Sequence, residues 1–328
     1  MKLTKIFLLK VFLISLILIF PLILCVVRLK EKDFTVDELN YLNNSLNLIK
    51  ELKWDTRHLR LHPPLTSYLH GLPLLLISTT NPWTQLFYAR LSNLLLFIIL
   101  GLSVFLITRK IYGFKAGLFA LILCCFNPEI LAHSRLITAD LGLALFSFLF
   151  LISFNLFLKS DQKNNKKEII KTGIFLGLLL LTKYNAAVFI PLSCLLFIIH
   201  CLFFPQKRNP FKRLFQLLFI FFIAIFIVHL AYGFKESFQL PDQFQSSLFQ
   251  KIKTNPILKT GLYFFPKPFL WGADYQISVS QEDWHWNFFL GERSSKGFKD
   301  FYFITFFLKT PIPLLIFLIW ALFLLLKR

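Results

Sequence analysis

Residues 34–65 read FTVDELNYLNNSLNLIKELKWDTRHLRLHPPL and directly follow the first long apolar segment of the chain. They contain two adjacent acids, Asp37 and Glu38, and end near the tripeptide His62-Pro63-Pro64. Polar residues at this density, between apolar segments long enough to cross a bilayer, indicate a loop on one face of a membrane. The other polar groups that lie on the same face of the membrane decide the topology of the chain.

The composition is that of an integral membrane protein. Of the 328 residues, 56% are hydrophobic and 42 are Phe, which exceeds what a soluble domain of this size can bury. The net charge of +19 is compatible with nucleic acid, but the Lys and Arg residues cluster in short loops between apolar segments. That pattern follows the positive-inside rule and argues against nucleic-acid binding. The five cysteines lie in apolar segments without metal-site spacing, so we expect small buried side chains.

Hydropathy predicts an all-α polytopic membrane protein with about eight transmembrane helices in a single domain, residues 1–328. The first apolar segment is expected to be an uncleaved span, because it is too long for a typical signal peptide and lacks a small-residue cleavage site. The predicted spans cover about 6–27, 88–108, 116–131, 139–158, a pair within 172–204, 214–232 and 301–326. Segment 64–79 is too short to cross about 30 Å of hydrocarbon and predicts an interfacial or partly buried helix.

Loop charges predict the orientation of these spans. The cationic loops after the second, fourth and sixth spans are expected on the cytoplasmic side. The loop after the sixth span lies on the cytoplasmic side only if 172–204 is a hairpin of two spans with Lys183 at its outer turn. One long tilted helix is the alternative. The external loops, about 28–87 and 233–300, then share the outer face with the turn 127–138 and Lys183.

The acidic pair has both a structural and a catalytic interpretation. Thr35 and Glu38 fit the capping box of a helix N-terminus, and the helix dipole favours Asp37 in the first turn. An amphipathic helix on the outer surface is predicted by the apolar stripe of Leu39, Leu42, Leu46 and Ile49. Alternatively, Asp37 is a general base held at the membrane surface.

Polar residues at the ends of other segments also carry two interpretations. His62 precedes two prolines at the start of a helix, which is a place suited to phosphate, or it is an interfacial side chain. Arg90 and Lys183 would pair with a lipid phosphate, either of the general bilayer or of a specific ligand. Asp140 occupies the first turn of a span, where the helix dipole also favours an acid.

The outer loop 233–300 combines aromatic rings with polar side chains. This combination suits sugar recognition, although an aromatic belt at the membrane interface explains it as well. The residues concerned include Trp271, Trp284, Trp286, Asp274, Glu282, Asp283, His285 and Glu292. His133 and Arg135 are crowded near the start of the fourth span. No phosphate loop, H-E-x-x-H, G-x-S-x-G or D-x-D motif occurs.

In chain order, the motifs are the acidic pair, HPPL, YARL, AHSRLxTxD, LTKY, and LGE followed by FLKTPxPLL. This order resembles the GT-C membrane glycosyltransferases of the protein O-mannosyltransferase and aminoarabinose-transferase type, which are similar to glycosyltransferase family 39. The resemblance covers nearly the whole chain and implies a GT-C-like fold. It implies transfer of a sugar from a polyprenyl-phosphate donor to an acceptor protein or glycolipid outside the membrane.

The resemblance also implies roles for individual residues. Asp37 and Asp140 are the expected catalytic acids, and His62, Arg90 and Lys183 are the expected contacts of the donor phosphate. Acceptor or sugar contacts are expected from the remaining candidates, namely Glu38, His133, Arg135, Trp284, His285 and Glu292. No metal site is predicted and no cofactor is required, although a divalent cation between the two aspartates is compatible with the sequence.

The expected partners are therefore the lipid-linked donor, membrane lipid and the acceptor, and the expected location is the bacterial inner membrane with a periplasmic active face. Members of this type usually continue with further spans, so a C-terminally short, inactive transferase that only binds polyprenyl phosphate is one alternative. A lipid or sugar transporter of the flippase type is another. The ionisable residues line the outer face rather than the bilayer midplane, and no inverted repeat is visible, which argues against transport.

Overall fold

The structure, a computed structural model, describes residues 2–50, 61–161, 165–204, 209–281 and 287–327. Their regular secondary structure is helical, apart from one antiparallel hairpin of β1 (Asn287–Phe289) and β2 (Glu292–Ser294). The helices up to the fourth predicted span are α1 (Lys2–Val26), α2 (Val36–Lys50), α3 (Leu65–Gly71), α4 (Pro82–Tyr112), α5 (Phe114–Cys125), α6 (Pro128–Ser134) and α7 (Asp140–Lys159). They are followed by α8 (Lys166–Leu180), α9 (Phe189–Phe203), α10 (Pro210–Ala231), α11 (Ser247–Thr254), α12 (Pro256–Leu262), α13 (Lys267–Gln281), α14 (Phe301–Lys309) and α15 (Ile312–Leu326).

The apolar helices make the chain an all-α polytopic membrane protein, as predicted. Among the described residues, five segments are long and apolar enough to cross a bilayer: Ile6–Val26, Pro82–Tyr112, Asp140–Lys159, Tyr184–Phe203 and Pro210–Ala231. Two bent helix pairs raise the number to seven if each pair is one span. The remaining predicted span corresponds to α8, which has only 15 residues. Leu65–Leu76 is apolar but short, in agreement with a helix that does not span.

Two predicted spans are broken rather than straight, and a proline follows each break. Helices α5 and α6 meet at 62°, where Asn127 caps α6 by accepting hydrogen bonds from the backbone of Glu129 and Ile130. Helices α14 and α15 meet at 111°. Thr310 is extended there (ψ 126°) because the ring of Pro311 disfavours a helical conformation in the preceding residue. The predicted spans at about 116–131 and 301–326 are therefore each formed by two helices joined at a bend, and each pair can still count as one span.

The long apolar segment 172–204 is interrupted, as the hairpin alternative requires. Helix α8 ends at Leu180, and Lys183 is extended (φ −143°, ψ 147°). A 3₁₀ turn, Tyr184–Val188, then leads into α9. A single long tilted helix is excluded by this break.

The chain divides into two compact units. The first consists of Met1–Val27, Gly101–His133 and Val279–Arg328, and the second of Arg28–Leu100 and Ser134–Ser278. In the first unit, Phe119 packs edge-on against Phe317. In the second, α8 packs against both α7 and α10. Most of the candidate residues lie in the second unit, so its packing decides the geometry of the site.

Small residues let α8 and α10 approach closely. A Cβ atom on Gly173 would lie 2.6 Å from the Cβ of Ile223, and one on Gly177 would lie 2.8 Å from the Cβ of Ile227. Both glycines would also meet backbone carbonyls at 3.0 Å. Within a membrane, where lipid is as apolar as Leu, such close contact is a main source of helix association. This packing fixes the position of the break at Lys183 that follows α8.

A buried ion pair ties the segment 28–41 to α4. Arg90 and Glu38 are 1% and 0% exposed, and their side chains approach to 2.8 Å. The guanidinium also donates to the carbonyls of Leu29, Lys32 and Asp33, and its five bonds, including two to Glu38, are 2.8–3.0 Å long. An Arg side chain has five N–H groups, so all of them are used.

Glu38 is the centre of this arrangement. Its carboxylate accepts from the backbone of Thr35 at 3.1 Å, as the capping box predicts, and from the backbone of Ile137 at 3.1 Å. Burial acts to raise the pKa of Glu38, but the hydrogen bonds from Arg90, Thr35 and Ile137 outweigh it and hold that pKa below its ordinary value. The carboxylate is therefore charged and fully engaged.

Helix α2 is packed more deeply than its apolar stripe predicts. Leu39, the first residue of that stripe, is 49% exposed. The buried face instead consists of Glu38, Tyr41, Leu42, Asn44, Ser45 and Leu48. Because Arg90 and Ile137 hold Glu38 inside, the helix is rotated so that polar residues as well as leucines face the interior.

We expect Arg90→Met to lower the stability of the folded protein strongly, by roughly 3–5 kcal/mol, because it leaves a buried carboxylate without its counter-ion. Thermal unfolding of the purified protein in detergent measures the change. Arg28→Gln is the matched control, since Arg28 and Glu31 form an ion pair at 3.7 Å that is 79% and 72% exposed. Such a surface pair contributes about 0–1 kcal/mol.

The double variant Arg90→Met/Glu38→Leu is expected to recover part of the loss, because no charge then remains buried without a partner. If Arg90→Met unfolded at the same temperature as Arg28→Gln, the pair would not anchor this region.

Candidate functional site

The site begins where the His-Pro-Pro segment meets the break after α8. The amide of Leu65 donates to the carbonyl of Leu181 at 3.2 Å, which joins the two segments directly. Pro63 and Pro64 are buried, and they fix the backbone between His62 and α3. His62 and Lys183, which are 121 positions apart in the sequence numbering, are thereby brought to one place.

Lys183 and Asp140 form an ion pair with a distance of 2.7 Å between Nζ and Oδ1. Their side chains are 23% and 37% exposed, so the pair is partly open to a ligand. Asp140 is the first residue of α7, and Lys183 lies on extended backbone between α8 and the 3₁₀ turn. Two of the predicted site residues are thus in direct contact.

Tyr41 is a central residue that the sequence interpretation missed. Its hydroxyl accepts a hydrogen bond from the backbone of Ala139 at 3.2 Å, next to Asp140. Its ring stacks on His62 with 5.0 Å between centroids and 6° between planes. Burial raises the pKa of Tyr41 well above its usual value, and the charges of Asp140 and Asp37 raise it further. The phenol therefore stays neutral and lies within electrostatic range of both aspartates.

His62 is neutral near pH 7. Burial and, to a lesser extent, the charge of Lys183 lower its pKa, Asp140 partly opposes them, and the net result is a fall from 6.5 to about 4. The imidazole therefore contributes a hydrogen-bonding N–H rather than a positive charge. This changes the role expected for His62, because a neutral ring binds phosphate more weakly than a cation.

A cavity of about 410 Å³ opens beside these groups. One wall contains His62, Lys183 and the 3₁₀ turn, and the other is formed by α11 and α13. Its lining residues are Leu61, His62, Lys183, Tyr184, Asn185, Ala187, Phe249, Ala273, Gln276 and Ile277. Gln276 donates to the carbonyl of Leu61 at 3.0 Å, which holds α13 against the His-Pro-Pro segment.

The close approach of α13 depends on Gly272. A Cβ atom at this position would lie 1.9 Å from the hydroxyl of Tyr184, so a larger residue cannot be accommodated without movement. Asp274, an acid of the aromatic loop, is fully buried. It accepts hydrogen bonds from the amides of Gln245 and Ser246 at 2.7 and 2.9 Å and therefore organises the start of α11.

The remaining acids and cations predicted near the donor have different surroundings. Asp37 is exposed in the first turn of α2, four residues before Tyr41. Glu38 and Arg90 are buried against each other, and Arg90 has no N–H left for a phosphate. Arg135 is half-buried in the second unit. Its charge acts on Lys32, whose pKa is lowered first by the burial of Lys32 itself and then by the charges of Arg135 and Arg90.

Four other candidates fall outside this arrangement or outside the described residues. His133 belongs to the first unit, where it lies 3.8 Å from Glu129. Glu292 is exposed in β2, opposite Phe289. Trp284 and His285 lie outside the described residues. Across the parts of the chain that the structure describes, no group of three or more His, Cys, Asp or Glu side chains is placed to hold a metal ion.

The pKa of His62 predicts how stability depends on pH. An unfolded His has an ordinary pKa of 6.5, whereas folded His62 has a pKa of about 4, so the unfolded chain binds the proton more strongly. Its contribution to stability is complete above pH 6.5 and is lost as the pH falls towards 4, at about 1.4 kcal/mol per pH unit for one group.

Thermal unfolding between pH 7 and pH 4 tests this dependence. We expect His62→Phe, which retains an aromatic ring against Tyr41, to show a shallower loss than the unmodified protein. Equal slopes for His62→Phe and the unmodified protein would contradict a depressed pKa at His62.

Comparison with known proteins identifies one family. A family model described as dolichyl-phosphate-mannose-protein mannosyltransferase matches residues 61–232, more than half of the chain. The match contains His62, Arg90, Asp140 and Lys183, and it begins after the acidic pair. No curated protein and no solved structure matched the chain significantly. The chain belongs to the dolichyl-phosphate-mannose-protein mannosyltransferase family of GT-C membrane glycosyltransferases.

Proposed function

We propose that this protein transfers a sugar from a polyprenyl-phosphate donor to a hydroxyl group of a protein or glycolipid on the outer face of the membrane. The observation that carries the proposal is the Lys183–Asp140 ion pair, whose lysine lines the 410 Å³ cavity together with His62. These residues lie within the segment that matches the family. A bacterial inner membrane with the site on the periplasmic side is the location that we propose.

The reaction needs a base for the acceptor and a cation for the phosphate. The acceptor oxygen bonds to the anomeric carbon as the bond from that carbon to the phosphate oxygen breaks. The acceptor proton passes to a carboxylate, and the polyprenyl phosphate leaves with the bonding electrons. A positive charge fixed beside the leaving oxygens lowers the barrier, since negative charge develops there.

Lys183 is the group that we assign to the donor phosphate. Its ammonium is partly exposed on the cavity wall, and neutral His62 adds a hydrogen-bonding group beside it. Asp140 orients Lys183 at 2.7 Å. Arg90 is assigned a positioning role through Glu38, because its N–H groups are occupied within the fold.

Asp37 is the carboxylate that we assign as the base. It is exposed, whereas Glu38 beside it is buried in an ion pair and Asp140 is paired with Lys183. Its charge acts on Tyr41, whose hydroxyl contacts the start of α7 at Ala139. Tyr41 thus connects the helix that carries Asp37 to the helix that carries Asp140.

Asp37→Asn is expected to reduce sugar transfer by about 10²–10⁴-fold, the usual contribution of a general base. Transfer is measured in membranes with a panel of radiolabelled polyprenyl-phosphate sugars. Asp33→Asn is the control, because Asp33 is also exposed and lies four residues earlier. Full activity of Asp37→Asn would reject the assignment of the base, and no transfer by the unmodified protein with any donor would reject the function.

Lys183→Gln is expected to weaken the binding of polyprenyl phosphate itself by roughly 10- to 100-fold, since a hydrogen bond to a charged group contributes about 1.5–3 kcal/mol. Inhibition of transfer by added polyprenyl phosphate, or its direct binding to the purified protein, gives the affinity. Lys171→Gln, an exposed position on α8, is the control. An unchanged affinity in Lys183→Gln would remove Lys183 from the phosphate site.

A further inference from the structure

A second cavity, of about 500 Å³, lies in the second unit. A single short segment and the first turn and a half of α13 form its walls. The lining residues are Pro241, Asp242, Gln243, Phe244, Gln245, Lys267 and Trp271. None of them has a role in the transfer site described above.

Helix α13 separates the two cavities. Successive residues of a helix are about 100° apart, so Ala273, Gln276 and Ile277 point roughly 140–240° away from Trp271. Ala273, Gln276 and Ile277 line the transfer cavity, and Trp271 lines the second cavity. One helix therefore presents opposite faces to two cavities, so the position of this helix affects the shape of both.

The wall opposite α13 is held in place by several contacts. Asp274 accepts hydrogen bonds from Gln245 and Ser246, and Lys253 donates to the carbonyl of Asp242 at 2.6 Å. The ring of Phe244 stacks on Phe249, with 5.0 Å between the centroids and 26° between planes. The cavity is thus formed before any ligand arrives, which lowers the cost of binding.

The chemistry of the lining suits a carbohydrate. Trp271 is half-buried and offers an indole, whereas the side chains of Asp242, Gln243 and Gln245 are exposed. A pyranose ring has C–H groups that pack on an aromatic surface and hydroxyls that both donate and accept hydrogen bonds, as carboxylate and amide groups require. The charge of Lys267 is offset by Glu236 at 3.4 Å, which disfavours a strongly charged ligand.

We infer that this second cavity binds a neutral pyranose unit carried by the acceptor, stacked on Trp271 and hydrogen-bonded by Asp242 and Gln243. Its place in the reaction rests on the proposed function: the transfer cavity takes the donor, and the second cavity selects an acceptor that already bears a sugar. The inferred acceptor class is therefore a glycosylated lipid or protein.

Binding is tested without any transfer reaction. The purified full chain in detergent is mixed with methyl hexopyranosides of different configuration, and saturation-transfer NMR detects which of them bind. We expect at least one neutral hexoside to give a signal at millimolar concentration. The signal is expected to fall at least fivefold in Trp271→Leu, and to fall in Asp242→Asn while Trp271→Phe retains part of it.

Trp320→Leu is the matched control, because Trp320 is 57% exposed on α15 in the first unit. Binding of polyprenyl phosphate to Trp271→Leu reports whether that variant is folded, and it is expected to be unchanged. No signal with any hexoside, or equal signals in the unmodified protein and folded Trp271→Leu, would overturn the inference. Trp271 would then be an aromatic residue of the membrane interface.

Where transfer is active, Trp271→Leu is expected to raise the KM for a glycosylated acceptor at least fivefold and leave the KM for the donor unchanged. Saccharide binding without transfer would reject the proposed function but keep the cavity. Transfer without saccharide binding would leave the proposed function in place and reject the second cavity as a saccharide site.

Discussion

The region around the start of α2 depends on one buried interaction, the ion pair between Arg90 and Glu38. Burying two charges is costly, and their attraction compensates only when the remaining hydrogen-bonding groups are also satisfied. Here the guanidinium reaches three carbonyls of the segment before α2, and Glu38 reaches the amide of Ile137. A loop, two helices and the segment that leads to Asp140 are therefore held at one point. Removing either partner would leave the other buried and unpaired.

This pair also gives the two adjacent acids, Asp37 and Glu38, different surroundings. Neighbouring residues of a helix point about 100° apart, so holding Glu38 inside leaves Asp37 at the surface. The same period places Tyr41 on the buried side of α2, where it contacts both His62 and Ala139. The position of the proposed base relative to Asp140 is thus set indirectly, through a charge that takes no part in the proposed chemistry.

Local features of the sequence predicted much of this structure. Hydropathy gave the apolar helices, the capping box gave the contact between Thr35 and Glu38, and charge parity favoured the break at Lys183. The bends before Pro128 and Pro311 follow from proline chemistry and were open to prediction. The sequence also contained a signal for Tyr41, because it lies four residues, about one helical turn, after Asp37. The partner of Arg90, 52 positions away, and the burial that neutralises His62 depend on long-range packing, which no local pattern contains.

The charges at the transfer cavity bear on how the proposed donor and its lipid phosphate product would be held. Arg90 is occupied and His62 is neutral, so Lys183 is the cation among the described residues that line the cavity, and Asp140 balances it. A sugar-linked polyprenyl phosphate is a phosphodiester with a single negative charge, whereas the released monoester carries about −1.5 to −2 at neutral pH, as phosphorylated side chains do. In the proposed reaction, Lys183 therefore attracts the departing phosphate more strongly than the intact donor, which is what a lower barrier requires. Its pairing with Asp140 at 2.7 Å limits how tightly the released phosphate would be held.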